Sequence, residues 1–243
     1  MNDKTTKILL NKVKSSYNQI ANEFSDTRVY PWKEFDLFKP YLQENDFIID
    51  LGCGNGRLLN YLYKKYLNNN FKYLGIDNSE GLLKKAKAIH DEGLFILGDQ
   101  LEIPLADNKA DIIFNIAAFH HIPSYKLRMK ALKEMRRVLK KDGILIITVW
   151  NLWQKKYLKY TIKAILLSIV TFGKYSFNDF FIPWKKNDGK VLSKRYYHSF
   201  LPSEINTLCK KAGFEIVENF AVKKGQKVSF LNSFNYCLVL KKL

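Results

Sequence analysis

The chain has 243 residues, 47% of them hydrophobic, which suits a single domain with a sizeable core. Its formal net charge is +17, yet only six of the 40 basic residues are arginine, so a lysine-coated surface and a polyanionic partner both stay open. Cys53, Cys209 and Cys237 lie too far apart for a disulfide framework or a zinc spacing, Met1 to Tyr17 has no secretory apolar core, and the greasiest run, Ala164 to Gly173, falls short of the ~20 residues of a spanning helix, so a cytoplasmic enzyme without integral membrane association is expected.

Residues 7–24 read as one amphipathic helix with Ile8, Leu9, Val13, Tyr17, Ile20, Ala21 and Phe24 on a single face. Pro31 ends the segment that follows, and a short helix over Lys33 to Leu42 leads into the apolar strand that opens at Phe47. Helix Arg57 to Leu67, strand Lys72 to Asp77, helix Ser79 to His90 with Ser79 as its cap, and strand Leu94 to Asp99 come next. Strand Asp111 to Ile116, helix Ser124 to Lys140 and strand Gly143 to Trp150 after an Asp-Gly turn complete the alternation. Uninterrupted apolar strands separated by helices argue a parallel sheet covered on both faces.

Gln154 to Val170 then reads as a helix with Lys155, Lys156, Lys159 and Lys163 beside many apolar residues. A lid, a packing helix and a membrane-surface helix all fit that pattern. Phe177 to Phe200 reads as loop and short strands. Helix Pro202 to Ala212 stops at Gly213, and strands Phe214 to Val222 and Phe234 to Lys241 are close enough to pair antiparallel at one end of the sheet. The expectation is one doubly wound α/β domain over 1–243, with lid helices in 1–45, a ligand-binding core in 46–150, a substrate-lid insertion in 151–200 and a terminal helix and strand pair in 201–243.

The chain is organised around Asp50-Leu51-Gly52-Cys53-Gly54-Asn55-Gly56. A buried strand ends on an acid, breaks into glycines and enters a helix whose free N–H groups face the space above the sheet. Arg57 stands where a dinucleotide fingerprint would need its third glycine. Acids stand at three successive strand ends: Asp50, Asp77 and Asp99. Asp77 follows Gly52 at an interval suited to ribose hydroxyls, and Asp99-Gln100 could bound a base. After the fourth strand, Asn115 to Pro123 carries the adjacent His120 and His121, which could meet a substrate but lack a third ligand for a metal. Arg28 is a rare arginine in a lysine chain, so it is either a surface cation or a two-point partner for a carboxylate or phosphate. Ile182-Pro183-Trp184 and Lys194 to Phe200 interleave rings with cations, either to stack bases or to pack a strand pair.

The glycine motif resembles the first motif of class I S-adenosylmethionine-dependent methyltransferases. More specifically, Tyr17 to Ala21, Phe24 to Arg28, Pro31-Trp32, Ile116 to His121, Ile182 to Trp184 and Arg195 to Phe200 resemble the tRNA wobble-uridine carboxymethyl methyltransferases. That resemblance implies a Rossmann-like fold: a mostly parallel, seven-stranded sheet with an antiparallel C-terminal strand. It implies S-adenosylmethionine as cofactor, the carboxylate of 5-carboxymethyluridine in a tRNA anticodon loop as methyl acceptor, and a small zinc-binding activator subunit as a partner. By that resemblance Tyr17 would close over the cofactor; with the glycine turn and strand ends, the candidate cofactor residues are Tyr17, Arg28, Asp50, Gly52, Gly54, Asn55, Gly56, Asp77, Asn78, Asp99, Gln100 and Asn115. The resemblance places Arg28, His120, Arg195 and His198 around the substrate, and His121 joins them as a candidate through its place after the fourth strand. Lys155 to Asn178 departs from the family pattern. A small-molecule methyltransferase acting on a quinone or lipid precursor, and a non-catalytic tRNA-binding scaffold, are the competing readings.

Overall fold

The computed structural model describes residues 1–66, 70–186 and 188–243. The N-terminal helix is two helices: α1 over Asp3–Gln19, capped by the Asn2 side chain, and α2 over Ala21–Asp26. The break at Ile20 sinks that residue completely, and the buried stripe of α1 is Thr5, Thr6, Leu9, Val13 and Ser16, while Ile8 is 57% exposed. Lys33–Tyr41 winds as a 3₁₀-helix, whose three-residue turn puts Phe35 and Phe38 on one buried side.

Then follow β1 (Phe47–Leu51), α3 (Arg57–Tyr66), β2 (Lys72–Asp77), α4 (Glu80–Ile89), β3 (Leu94–Leu97), β4 (Ala110–Ile116), α5 (Tyr125–Val138) and β5 (Leu139–Trp150). Leu67, expected to end α3, lies outside the described residues. Ser79 caps α4 and Ser124 caps α5, each accepting a backbone N–H three residues on. β5 starts at Leu139 rather than Gly143. Asp142 adopts φ +63° inside it, and the register with β4 jumps from Ala110–Leu139 to Ile112–Ile144, so the Asp-Gly pair is a bulge and not a free turn. After a 3₁₀ turn come α6 (Leu158–Val170) and the antiparallel hairpin β6 (Asp179–Lys185) and β7 (Val191–His198), where loop and short strands were expected. α7 (Pro202–Lys211), β8 (Phe214–Lys223), β9 (Gln226–Val228) and β10 (Asn235–Lys242) end the chain.

The sheet order is β3-β2-β1-β4-β5-β10-β8-β9. The first five strands in that order run parallel, and β10 is antiparallel to both β5 and β8. The short β9 extends the seven expected strands at the edge. α5 and α7 cover one face through Leu132, Met135, Ile205 and Leu208. α3 and the 3₁₀-helix cover the other through Leu58, Leu62, Phe35 and Phe38. Each such side chain taken fully from water contributes about 1.5–3 kcal/mol.

The hairpin stands apart from the sheet and is fastened at its base. His198 places Nδ1 3.0 Å from Asp179 Oδ1 and Nε2 2.7 Å from Glu204 Oε1 on α7. Asp179 also accepts from the Tyr196 hydroxyl at 2.7 Å and the Ser176 N–H at 2.8 Å. Burial alone raises the Asp179 carboxyl; the His198, Tyr196 and Ser176 donors outweigh it and hold the group below the ordinary 3.8. Glu204 is likewise held below 4.5 against its burial, chiefly by His198. A carboxyl whose folded value is depressed contributes stability above its unfolded value and loses it as pH falls through the folded one. Unfolding of the wild type followed against pH therefore shows this contribution complete above about pH 4.5 and fading below it. Asp179→Asn lowers stability at neutral pH by about 2–3 kcal/mol and weakens the acid dependence; an unchanged denaturation midpoint would contradict the assignment.

Candidate functional site

Strand order reverses between β1 and β4, and a cavity of ≈ 1040 Å³, open mouth included, lies above the carboxyl ends of the strands there. Its floor is the glycine turn. Gly52 (φ +84°) and Cys53 donate their N–H groups to the Ile76 carbonyl at 2.7 and 3.1 Å, tying the turn to β2. A Cβ on Gly52 would lie 2.5 Å from Ala118 Cβ, so the turns after β1 and β4 meet only because residue 52 is glycine. A Cβ on Gly54 would meet only Phe24, at 3.5 Å, and this glycine lines the cavity. Gly56 is off the wall: a Cβ there would strike His90 at 2.6 Å, so it serves helix packing.

The three strand-end acids have separate environments. Asp50 is buried, accepts the Tyr73 hydroxyl at 2.9 Å, and is pushed up to about 7 by that burial. Asp77 receives Gly54 N–H at 2.9 Å and Ser79 N–H at 2.8 Å, so it shapes the glycine turn while lining the cavity. Asp99 accepts Leu101 N–H at 2.8 Å and the Asn78 amide at 3.4 Å; it braces Asn78, which lines the cavity, and is not itself on the wall. Asn115 sits beneath Gln100 in the same way, donating to Gln100 Oε1 at 3.0 Å and the Leu51 carbonyl at 3.1 Å. Asn55 and Gln100 line the cavity.

The roof comes from α1, α2, the strand end of β5 and the hairpin. Tyr17, Arg28, His121 and Arg195 converge there with Phe24, Trp32 and Trp150. Arg195 is 4% exposed. Its guanidinium lies 4.8 Å from the Trp184 ring and 5.2 Å from the Tyr197 ring, and Nη1 reaches the Tyr17 hydroxyl at 3.5 Å. Its Nε has no partner among the described residues. Arg28 lies on the same Trp184 at 5.3 Å and on Phe24 at 5.0 Å, and among the described residues its side chain donates only to Thr27 Oγ1. Burial, and then the charge of Arg195, lower its pKa, but a guanidinium stays protonated. Neither arginine pairs with a carboxylate among the described residues.

The histidines divide. His121 gives Nδ1–H to the Tyr196 carbonyl and takes the Tyr17 hydroxyl at Nε2, each at 2.7 Å. Burial brings it down to about 3, so it is neutral at physiological pH. His120 accepts Trp150 N–H at 3.2 Å and lies behind the wall, its pKa also lowered by burial. His198 is in the hairpin anchor, away from the cavity. Nothing in the sequence singles out Trp150 or Asn18 by itself, whereas Trp184 belongs to the segment expected either to stack bases or to pack a strand pair. Trp184 was visible in its Ile-Pro-Trp segment, but its place between two arginines depends on the hairpin register.

A family model described as a methyltransferase domain matches residues 49–147. A tRNA (carboxymethyluridine(34)-5-O)-methyltransferase of Schizosaccharomyces pombe is 31% identical over 84% of this chain and 88% of its own. An S-adenosylmethionine-dependent methyltransferase of Methanosarcina mazei superposes with TM-score 0.69 at 21% identity, over 85% of this chain and 97% of that one. A putative methyltransferase of Haloferax volcanii, solved in complex with a Trm112 methyltransferase activator, gives TM-score 0.62 at 16% identity, over 94% and 96%. The fold is that of the class I methyltransferases, and the cofactor is S-adenosylmethionine.

The cavity fits that cofactor. The turn is open to close approach at Gly54, Asp77 retains free lone pairs beyond its two N–H partners, and Leu82, Ile116 and Asn78 offer apolar and amide walls. Asp50, raised to about 7 and so part protonated at neutral pH, could take up a cationic group. A cation bound beside it would favour its ionised form, so binding should expel a proton around pH 7. Calorimetry of S-adenosylmethionine binding in buffers of different ionisation heat is expected to show net proton release that Asp50→Asn abolishes. Identical heats in all buffers with the wild type would contradict the role of Asp50.

The glycine turn, the reversal of strand order above it and a 31% match spanning nearly all of the yeast protein agree: the chain belongs to the tRNA (carboxymethyluridine(34)-5-O)-methyltransferases and is an S-adenosylmethionine-dependent enzyme.

Proposed function

We propose that the enzyme esterifies the carboxylate of 5-carboxymethyluridine at the wobble position of a tRNA, and that Arg195 and Arg28 hold that carboxylate. The observation that carries this reading is the buried Arg195, which has no carboxylate partner among the described residues. A desolvated guanidinium is costly unless an anion meets it, and Arg28, also without a carboxylate partner among the described residues, shares its cavity. A substrate carboxylate supplies the missing charge. Arginine's planar fork can hold it at two points while leaving a lone pair for reaction.

The cofactor supplies an electrophilic methyl group. The acceptor carboxylate is ionised at neutral pH, so no general base is required. The neutral His121 is not a proton source, and its bond from Tyr17 fixes that ring over the cavity. Phe24 and Trp184 lie against Arg28, and Trp150 and Trp184 against Arg195; rings at these cations lower the local polarity, which strengthens their hold on an anion. The net charge of +17 suits a tRNA anticodon loop, and a cytoplasmic place of action goes with that substrate. A small zinc-binding activator subunit is the further partner in this reading. The edge strand β3, with Leu94 61% and Leu97 51% exposed, is an apolar template it could use.

Kinetics on tRNA bearing the carboxymethyl group test the arginines. Arg195→Lys and Arg28→Lys should retain cofactor binding and lose about tenfold to a hundredfold in kcat/KM, the worth of a charge-assisted hydrogen bond of about 1.5–3 kcal/mol. Wild-type turnover in Arg195→Lys would show that fork geometry is not used. Raising salt a few-fold should weaken tRNA binding by about tenfold or more if phosphates are contacted; salt-independent affinity would argue against an RNA substrate.

A further inference from the structure

Helix α6 turns its apolar residues outward. Ala164 is buried with Leu152, Phe180 and Ile182, whereas Leu158, Ile162, Ile165, Leu166, Ile169 and Val170 are 43–68% exposed. Their spacing gathers them into one stripe along the helix. Phe172 follows in the left-handed region at φ +49° and is 98% exposed, so the stripe ends in a ring standing in solvent. A contiguous apolar surface of this kind marks an interaction site.

Charge says what covers it. Between Lys155 and Lys174 the sequence has five lysines and no acid. Lys159 and Lys163 flank the stripe, and with Lys185 and Lys194 of the hairpin they line a groove of ≈ 920 Å³ between α6 and β6. A second copy of the chain docked through this face would bring lysine rows together. An RNA would engage the lysines and leave the aliphatic stripe in water. An anionic lipid surface uses both features, apolar side chains entering the acyl boundary and lysines meeting headgroup phosphates. No helix among the described residues is long and apolar enough to cross a membrane, so such a contact lies in the interface plane.

We infer that α6 is a peripheral anchor that seats the enzyme on an anionic bilayer through its exposed aliphatic stripe and flanking lysines. The inference is separate from the methylation site: the stripe lies outside the catalytic cavity.

Flotation of the full chain with vesicles tests it. The wild type should float with phosphatidylcholine vesicles containing phosphatidylserine, stay behind with pure phosphatidylcholine, and be released by salt. The double variant Ile162→Glu/Ile169→Glu should lose flotation, and Lys159→Glu/Lys163→Glu should fall to the level of neutral vesicles. Both pairs of positions are exposed, so melting curves of the variants should match the wild type. Failure of the wild type to float with anionic vesicles overturns the inference, as does flotation of the aliphatic variant equal to wild type. A concentration-dependent dimer dispersed by Ile162→Glu/Ile169→Glu, or tRNA affinity lost in that variant without vesicle binding, would assign the face to self-association or to RNA and overturn it too.

Discussion

Arg195 carries its charge among rings, nearly sealed from water, with no carboxylate beside it in the described structure. Desolvation opposes such a placement, so the surrounding structure must hold it there. The hairpin that carries Arg195 is anchored by His198 between Asp179 and Glu204, while the Tyr197 ring beside it stacks on Trp150 at 5.2 Å. Ring faces compensate a cation only partly. In the proposed reading the balance comes from the substrate carboxylate, and a neutral acceptor would leave the guanidinium unpaired.

The N-terminal helix joins that charged roof to the glycine floor. Asn18 Oδ1 accepts the Ser79 hydroxyl at 2.7 Å and Gly81 N–H at 3.1 Å, fastening α1 to the start of α4. A Cβ on Gly81 would stand 3.0 Å from Ala21 Cβ, so this close docking needs a glycine. One residue earlier, Tyr17 donates to His121 and lies near Arg195. Adjacent side chains thus tie the cofactor side of the cavity to the substrate side.

Much of this architecture is written locally. Apolar strands bounded by Ser79, Ser124 and the glycine turn mark the alternating core, because caps and left-handed positions are decided by neighbouring residues. The cavity-lining positions of Asp50, Gly52, Gly54, Asp77 and Gln100 were legible for the same reason. What escaped depends on contacts distant in sequence. His120 and His121 are adjacent, and only the crossing of the turn after β4 with β7 and the end of β5 aims one at the cavity and the other at Trp150. His198 looked like a substrate residue until its carboxylate partners, 19 and 6 residues away, were brought to it. The hairpin was one of two readings of its segments, since Pro183 and the mixed ring-and-lysine pattern hide the two-residue period, and the buried Tyr196 and Tyr197 decide for a packed strand pair.

The chemistry of the transferred methyl group bears most directly on the account. A carboxylate acceptor yields an ester, while nitrogen or carbon acceptors yield bonds that mild base leaves intact. Incubating the enzyme, together with an activator subunit, with methyl-labelled cofactor and tRNA carrying 5-carboxymethyluridine should place label in the RNA. Mild base should then release that label as methanol. Label that stays in the RNA after base, or appears only with a small lipid or quinone acceptor, would contradict the assignment of Arg195 and Arg28 to a carboxylate.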